Sequence, residues 1–320
     1  MDSTKTQQVA QSEAKGQQDV NVNGNAENGH TEKKSSRLDV LKTYKIYIDG
    51  KFPRTESGRY YILKDTEGKQ LGNICKSSRK DFREAVVAAR KAQPGWAGKT
   101  AYNKGQILYR IAEVLEGRRA QFIDELMQQG ASKALATEEV NLSIDRLVHY
   151  AGWSDKFIQV FSSVNPVESS HFNFSIPEPM GIVSMIASED TGLLGLVSII
   201  APAIVGGNTV VVLASESKPL CAISFAEVLQ TSDVPSGVIN ILTGDAKELH
   251  THFSSHMDVN AIVFCQGNDE QTKTIQTNAA LNVKRVHDYR KCDWMNPSRQ
   301  GPYFIMDLQE IKTTWHPVGI

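Results

Sequence analysis

The sequence predicts an α/β protein built on a doubly wound, Rossmann-like parallel sheet with an N-terminal helical part ahead of it. Three observations carry that expectation. From Gly181 onward, the runs Ile182 to Ile186, Thr209 to Leu213, Val238 to Leu242 and Ala261 to Phe264 alternate with helical stretches. Each run is short, rich in β-branched residues and continuously apolar, as strands covered on both faces are. Their connections are short, which suits strand–helix–strand units, and no internal repeat is present.

The elements follow in order. Residues 1 to about 42 hold no aromatic residue and are dominated by Gln, Asn, Gly, Lys, Glu and Ser. Such a segment cannot bury enough apolar surface to offset its ordering entropy, so a disordered tail is expected there, with a folded domain over residues 43–320. Lys33, Lys34 and Arg37 could serve a partner, although a merely solvated tail explains them more simply. Tyr44 to Ile48 alternates like a strand and is closed by Asp49-Gly50. Ser77-Ser78 is placed to cap a helix holding Phe82, Ala85, Val86, Ala89 and Ala92, which Pro94-Gly95 should end. Ile107, Leu108, Ile111, Val114 and Leu115 give the next helical stripe. A long amphipathic helix is expected from about Ala134 to Phe161, with Leu142, Leu147 and Tyr150 on its apolar side. Leu193 to Val205 is too short to span a membrane and contains Gly195 and Pro202, so it reads as a buried core helix.

Composition narrows the function classes. The chain has 320 residues, of which 40% are hydrophobic and 22% charged, with a formal net charge of -1. That length can bury a large core, and the charge balance leaves no electrostatic footprint for nucleic acid. The first residues lack the apolar stretch of a secretory signal. Cys75, Cys221, Cys265 and Cys292 form neither a CxxC pair nor a zinc spacing. A soluble, reduced, cytoplasmic protein without a metal site is therefore expected.

Several local motifs then resemble one family, in the right order. They are His149-Tyr150-Ala151-Gly152-Trp153-Ser154-Asp155-Lys156, Glu178-Pro179-Met180-Gly181-Ile182-Val183, Ala201-Pro202-Ala203, Gly207-Asn208-Thr209-Val210-Val211, and Pro235-Ser236-Gly237-Val238-Ile239-Asn240 followed by Gly244. From about Lys45 to near Val286 the chain resembles the aldehyde dehydrogenase superfamily. The ending Lys312-Thr313-Thr314-Trp315-His316-Pro317-Val318-Gly319 resembles, more narrowly, the C-terminal half of aldehyde dehydrogenase family 16. The resemblance implies a nucleotide-binding-type fold with oligomerisation strands near residues 172–177 and 312–320, and no catalytic domain.

What the resemblance implies about chemistry differs from position to position. The family oxidises aldehydes through a cysteine thiolate and passes hydride to a nicotinamide, which requires a nucleophile, a base and oxyanion donors. Its proline-tryptophan-asparagine-phenylalanine turn here reads Ser188-Glu189-Asp190-Thr191. Ionised Asp190 cannot donate to an oxyanion, and capping the following helix is the simpler role for it. The cofactor lysine falls on Leu213, while Glu216 stands where the family has a ribose-binding glutamate. The phosphate-approach turn reads Phe264-Cys265-Gln266-Gly267-Asn268, with Asp269-Glu270 placing negative charge where phosphates would lie. The general-base glutamate maps onto Tyr289, a poor base at neutral pH. His287 and Asp288 read as a polar strand end, since strand neighbours point to opposite faces. Cys265 reads as a small core residue. Cys292 reads as an exposed loop thiol whose pKa Arg290 and Lys291 could lower.

No catalytic residue is nominated on this reading. Glu216, Gly244 and Gly267 are the candidates for residual cofactor binding, and NAD or NADP would bind weakly if at all. The favoured expectation is a pseudoenzyme acting as an oligomerisation or interaction module, with itself or with an aldehyde dehydrogenase homologue, binding neither nucleic acid nor membrane. The alternatives are a residual NAD(P)-binding module without turnover and an NAD(P)-dependent aldehyde oxidoreductase completed by another chain. Asn173-Phe174-Ser175-Ile176 and Thr313-Thr314-Trp315-His316 are the strands expected to associate, either with a neighbour or only with each other.

Overall fold

The structure, a computed structural model, describes residues 40–319. Of the tail expected over residues 1–42, positions 1–39, with Lys33, Lys34 and Arg37, lie outside the described residues. The first strand is shorter than its pattern suggests. β1 is only Thr43–Tyr44, pairing in parallel with β3 (Gln70–Cys75), which also pairs antiparallel with β2 (Tyr60–Lys64). The alternation continues to Ile48 because the chain then switches sheets. Tyr47 exchanges two 2.8 Å backbone hydrogen bonds with Ile241 of another sheet.

Helix α1 (Arg79–Ala97) starts where expected. Ser78 and Asp81 form a reciprocal capping box, satisfying donors that the first turn would leave open. It runs one turn past Pro94, contrary to the expected stop. The last turn is held from outside: Trp96 is 1% exposed and its indole N–H donates to the Ile204 carbonyl at 2.9 Å. α2 (Ala101–Gly117) carries the expected stripe. α3 (Arg119–Gln128) follows after a single residue, too close for the periodicity to separate them. The long helix is broken. α4 is Lys133–Trp153 and α5 is Phe157–Phe161, and at the break the Lys156 ammonium caps the Gly152 carbonyl at 2.6 Å.

The central sheet contains β6 (Ile182–Ile186), β7 (Thr209–Leu213), β8 (Ile239–Leu242), β9 (Ala261–Phe264) and β10 (Arg285–Asp288). All pairs are parallel, in the order β10-β9-β6-β7-β8. Alternate side chains go to opposite faces, as the pleat requires. Val183, Met185, Val210, Val212 and Val263 belong to one core with α6 (Leu194–Val205) and α7 (Leu220–Gln230). Ile182, Ile186, Val211, Leu213 and Phe264 belong to another with α1 and α8 (Ala246–Ser255), where the Phe82 and Phe253 rings stack at 4.2 Å. This is the doubly wound α/β sheet that the apolar runs predicted. α9 (Asp269–Ala280) links β9 to β10, and α10 is Tyr303–Met306.

A separate antiparallel sheet has the order β11-β5-β4, with β4 Ser163–Asn165, β5 His171–Pro179 and β11 Gln309–Pro317. The two strands expected to associate pair with each other, Thr313 opposite Ser175 and Trp315 opposite Asn173. No helix among the described residues is long and apolar enough to cross a membrane.

Candidate functional site

Strand order reverses at β6, which lies between β7 and β9. In open α/β sheets the crevice beyond the carboxyl ends of such strands is where ligands bind. Here the protein's own side chains lace that crevice. Glu189, three residues past β6, accepts hydrogen bonds from the backbone N–H of Glu216 at 2.8 Å and of Ser217 at 3.0 Å. The hydroxyls of Ser215 and Ser217 donate to the same carboxylate at 2.8 and 2.5 Å. Gln266, following β9, reaches across with its amide, donating to the Ala187 carbonyl at 2.9 Å and to Glu189 at 3.1 Å. Burial alone would raise the pKa of Glu189, but the Ser217, Glu216 and Ser215 hydrogen bonds outweigh it and hold the group below the ordinary carboxylate value. An ionised carboxylate thus occupies the donors of the β7–α7 loop.

The predicted site residues do not converge. Glu216 is exposed, its N–H is taken by Glu189, and its carbonyl accepts the Tyr61 hydroxyl at 2.9 Å. Its carboxyl pKa is raised by partial burial and then by Asp245 and Glu189. Leu213 is fully buried in the α1–α8 core. Gly244 has φ +148°, and a Cβ there would stand 3.1 Å from the backbone nitrogen of Ser77. The glycine serves close packing of the chain against itself. Gly267, with φ +121°, precedes the Asn268–Gln271 capping box that fills the first donors of α9. The negative charge at that turn is itself partnered: Arg290 pairs with Asp269 at 3.1 Å and with Asp288 at 2.8 Å.

At the positions of the chemistry, two expectations are corrected. Asp190 does not cap α6. Its carboxylate accepts the Ser188 hydroxyl, while Glu139 on α4 accepts the N–H groups of Leu193 and Leu194 at 2.7 and 3.1 Å. A cap supplied from another helix leaves no local sequence signature. Cys292 is half-buried rather than exposed, and burial raises its pKa despite the opposing effect of Arg299. Cys265 is buried, as its apolar setting predicts, and burial pushes its thiol far upward. Neither cysteine has an environment that favours a thiolate.

Tyr289 packs against Trp294 and Phe304, and its hydroxyl donates to Asp307 at 2.5 Å. Burial and then Asp307 hold its proton on. His287 turns inward with its Nε2 buried and unpartnered, while Asp288 faces outward to Arg290, so strand alternation separates them as expected. A cavity of about 330 Å³ remains beside Asp190, Thr191, Cys292 and Trp294. Among the described residues, no group of three or more His, Cys, Asp or Glu is placed to hold a metal.

Sequence reasoning missed Glu189, Tyr61 and Asp307. The first was visible as a carboxylate in a position where the resembled family has tryptophan, facing serines at 215 and 217; the others depend on contacts distant in sequence.

Comparison with known proteins fits this architecture. The family model described as "Aldehyde dehydrogenase family" matches residues 52–288. The putative aldehyde dehydrogenase DhaS of Bacillus subtilis (strain 168) is 30% identical over 249 residues, 76% of this chain and 50% of that protein. Retinal dehydrogenase 2 of Mus musculus is 32% identical over 253 residues, 77% of this chain and 48% of that protein. The NAD+ complex of aldehyde dehydrogenase from Bacillus cereus superposes with a TM-score of 0.73 at 23% identity, covering 77% of this chain and 50% of that one, a likeness of fold. The chain thus spans about half the length of these relatives. With its motifs, its sheet order and the matched residues in agreement, the chain belongs to the aldehyde dehydrogenase family.

Proposed function

We propose that this chain is a pseudoenzyme of its family that works by association, with a second copy of itself or with an aldehyde dehydrogenase homologue. The observation that carries this reading is the Glu189 carboxylate, which takes up the donors of the β7–α7 loop and is tied by Gln266 across the switch-point crevice. A dinucleotide entering there would have to displace an ionised carboxylate that accepts five hydrogen bonds, and approach Glu216 and Asp245, carboxylates that repel phosphate. The oxyanion and base positions carry Asp190 and Tyr289, and the thiols of Cys265 and Cys292, neither of which stands at the family's nucleophile position, both have raised pKa values.

Association is supported by the outer sheet. β11 is an edge strand that exposes Ile311 and Trp315, and β5 exposes Phe172. An unpaired edge flanked by apolar side chains is a template for adding another strand. A specific observation also favours a second reading, nucleotide sensing without turnover, because the Glu216 carboxylate itself has no hydrogen-bonding partner among the described residues.

Sedimentation velocity over a hundredfold range of concentration tests the main reading. A concentration-dependent dimer, or a heteromer formed on adding an active homologue, is the expected result, weakened by Ile311→Lys with Trp315→Lys. A monomer throughout, with and without the homologue, overturns it.

A further inference from the structure

Helices α1 and α8 pack side by side through Phe82 and Phe253, and their outward flanks enclose a cavity of about 400 Å³. Its lining is Arg79, Phe82 and Arg83 from α1 with Thr251, His252 and Ser255 from α8 and His256 directly after it. The cavity is not part of the switch-point crevice: it lies against the second half of α8, whereas Gly244 and Glu216 precede that helix. Spacing of four residues brings Arg79 and Arg83 onto one helical face, and does the same for Thr251 with Ser255 and for His252 with His256.

The charge balance of this cavity is one-sided. No acidic residue lines it. The nearest acids are engaged elsewhere: Glu248 pairs with Arg59 at 2.7 Å and with Lys76 at 3.4 Å, and Asp258 lies 3.9 Å from Arg90. Asp81, two residues from both Arg79 and Arg83 and so on the other side of α1, is buried and spends its oxygens on Ser78 and the Glu56 N–H. Among the described residues, the Arg79 and Arg83 guanidinium groups have neither an ion-pair nor a hydrogen-bond partner. The Asp258 N–H donates to Nδ1 of His256, which leaves Nε2 to carry the ring proton in the neutral form.

We propose that this cavity binds a phosphate dianion, free or as the monoester of a small polar molecule. Two guanidinium forks match phosphate oxygens in geometry as well as charge, which a single ammonium does not. The Thr251 and Ser255 hydroxyls and the His256 Nε2–H add neutral donors from the opposite wall. The end of α8 is the negative pole of its dipole and opposes an anion, so binding depends on the arginine pair.

The test is calorimetric titration of the full chain at constant ionic strength with inorganic phosphate, glycerol 3-phosphate and, for comparison, chloride. Saturable binding of phosphate but not chloride is expected. Arg83→Ala should weaken it about tenfold, roughly the loss of one charge-assisted contact, and Arg79→Ala with Arg83→Ala should abolish it. Both side chains are exposed, so these variants keep the fold, which circular dichroism checks. Glu216→Ala should leave phosphate affinity unchanged, separating this cavity from the crevice. Tighter binding of glycerol 3-phosphate than of phosphate identifies a monoester as the ligand, and equal affinities identify the free ion. Absence of saturable binding, or binding that survives the double variant, overturns the proposal.

Discussion

The carboxylate of Glu189 accepts the backbone N–H of Glu216 at 2.8 Å, joining the end of β6 to the loop after β7 across the point where strand order reverses. The same carboxylate takes two serine hydroxyls, a second backbone N–H and the Gln266 amide, so five donors depend on one side chain. Glu189→Ala should therefore cost about 2–3 kcal/mol, since it strips a charged acceptor from several donors at once. Urea unfolding followed by tryptophan fluorescence measures it, and a loss within error of zero would mean that water replaces the carboxylate without penalty.

Glu189 also sets a pH dependence. Its folded pKa is lower than its unfolded one, so its contribution is complete above the ordinary carboxylate value and disappears as pH falls through the folded value. Acid unfolding of Glu189→Gln should lack this component, leaving a shallower fall in stability below pH about 4 than in the parent chain.

Lys284 works in the opposite pH range. Burial pushes its ammonium down to about 8, and no acid compensates; its partners are the carbonyls of His256 and Val259 and the Asn282 side chain. Because the unfolded chain holds the proton more tightly, stability should rise with pH from about 8 toward the ordinary lysine value near ~10.4. Lys284→Met should flatten this rise in thermal unfolding measured across that range.

Glu139 caps α6 from a different helix and is 7% exposed. Glu139→Ala leaves two buried N–H groups without an acceptor, an expected loss of about 2–4 kcal/mol in chemical denaturation. Glu139→Gln retains a carbonyl acceptor and should lose less than half as much. Equal losses would assign the effect to charge rather than to capping.

Trp96 ties the last turn of α1 to α6 by packing and by one hydrogen bond. Trp96→Ala should destabilise by about 3–5 kcal/mol, the range for a large core side chain cut to a methyl. Trp96→Phe restores most of the volume but orphans the Ile204 carbonyl, so an intermediate loss is expected.

The central sheet was legible because its strands are apolar without interruption, a pattern that only burial on both faces explains. The helix start at Ser78 was equally plain, since a capping box is local in sequence. Other elements escaped for physical reasons. β2 and β3 are half-exposed, with Gly72 in the run, so neither alternation nor continuity marks them. Pro94 failed as a stop because tertiary contacts through Trp96 outweighed the local cost of proline. At the crevice, Leu213, Gln266 and Tyr289 were readable one by one as departures from the resembled family's motifs. The link from Glu189 to Ser215, Glu216, Ser217 and Gln266 was not, because it joins positions 26 to 77 residues apart. That link ties the end of β6 to the loop after β7 and to Gln266.

The central proposal, that the protein's own carboxylate closes the switch-point crevice to a dinucleotide, is tested most directly by titrating the full chain with NAD+, NADH and NADPH while following tryptophan fluorescence and thermal stability. A ligand that binds only the folded state must raise its stability. No saturable change up to millimolar nucleotide is the expected result. A saturable rise that Glu216→Ala weakens would show that the crevice opens to dinucleotide, and it would contradict the claim.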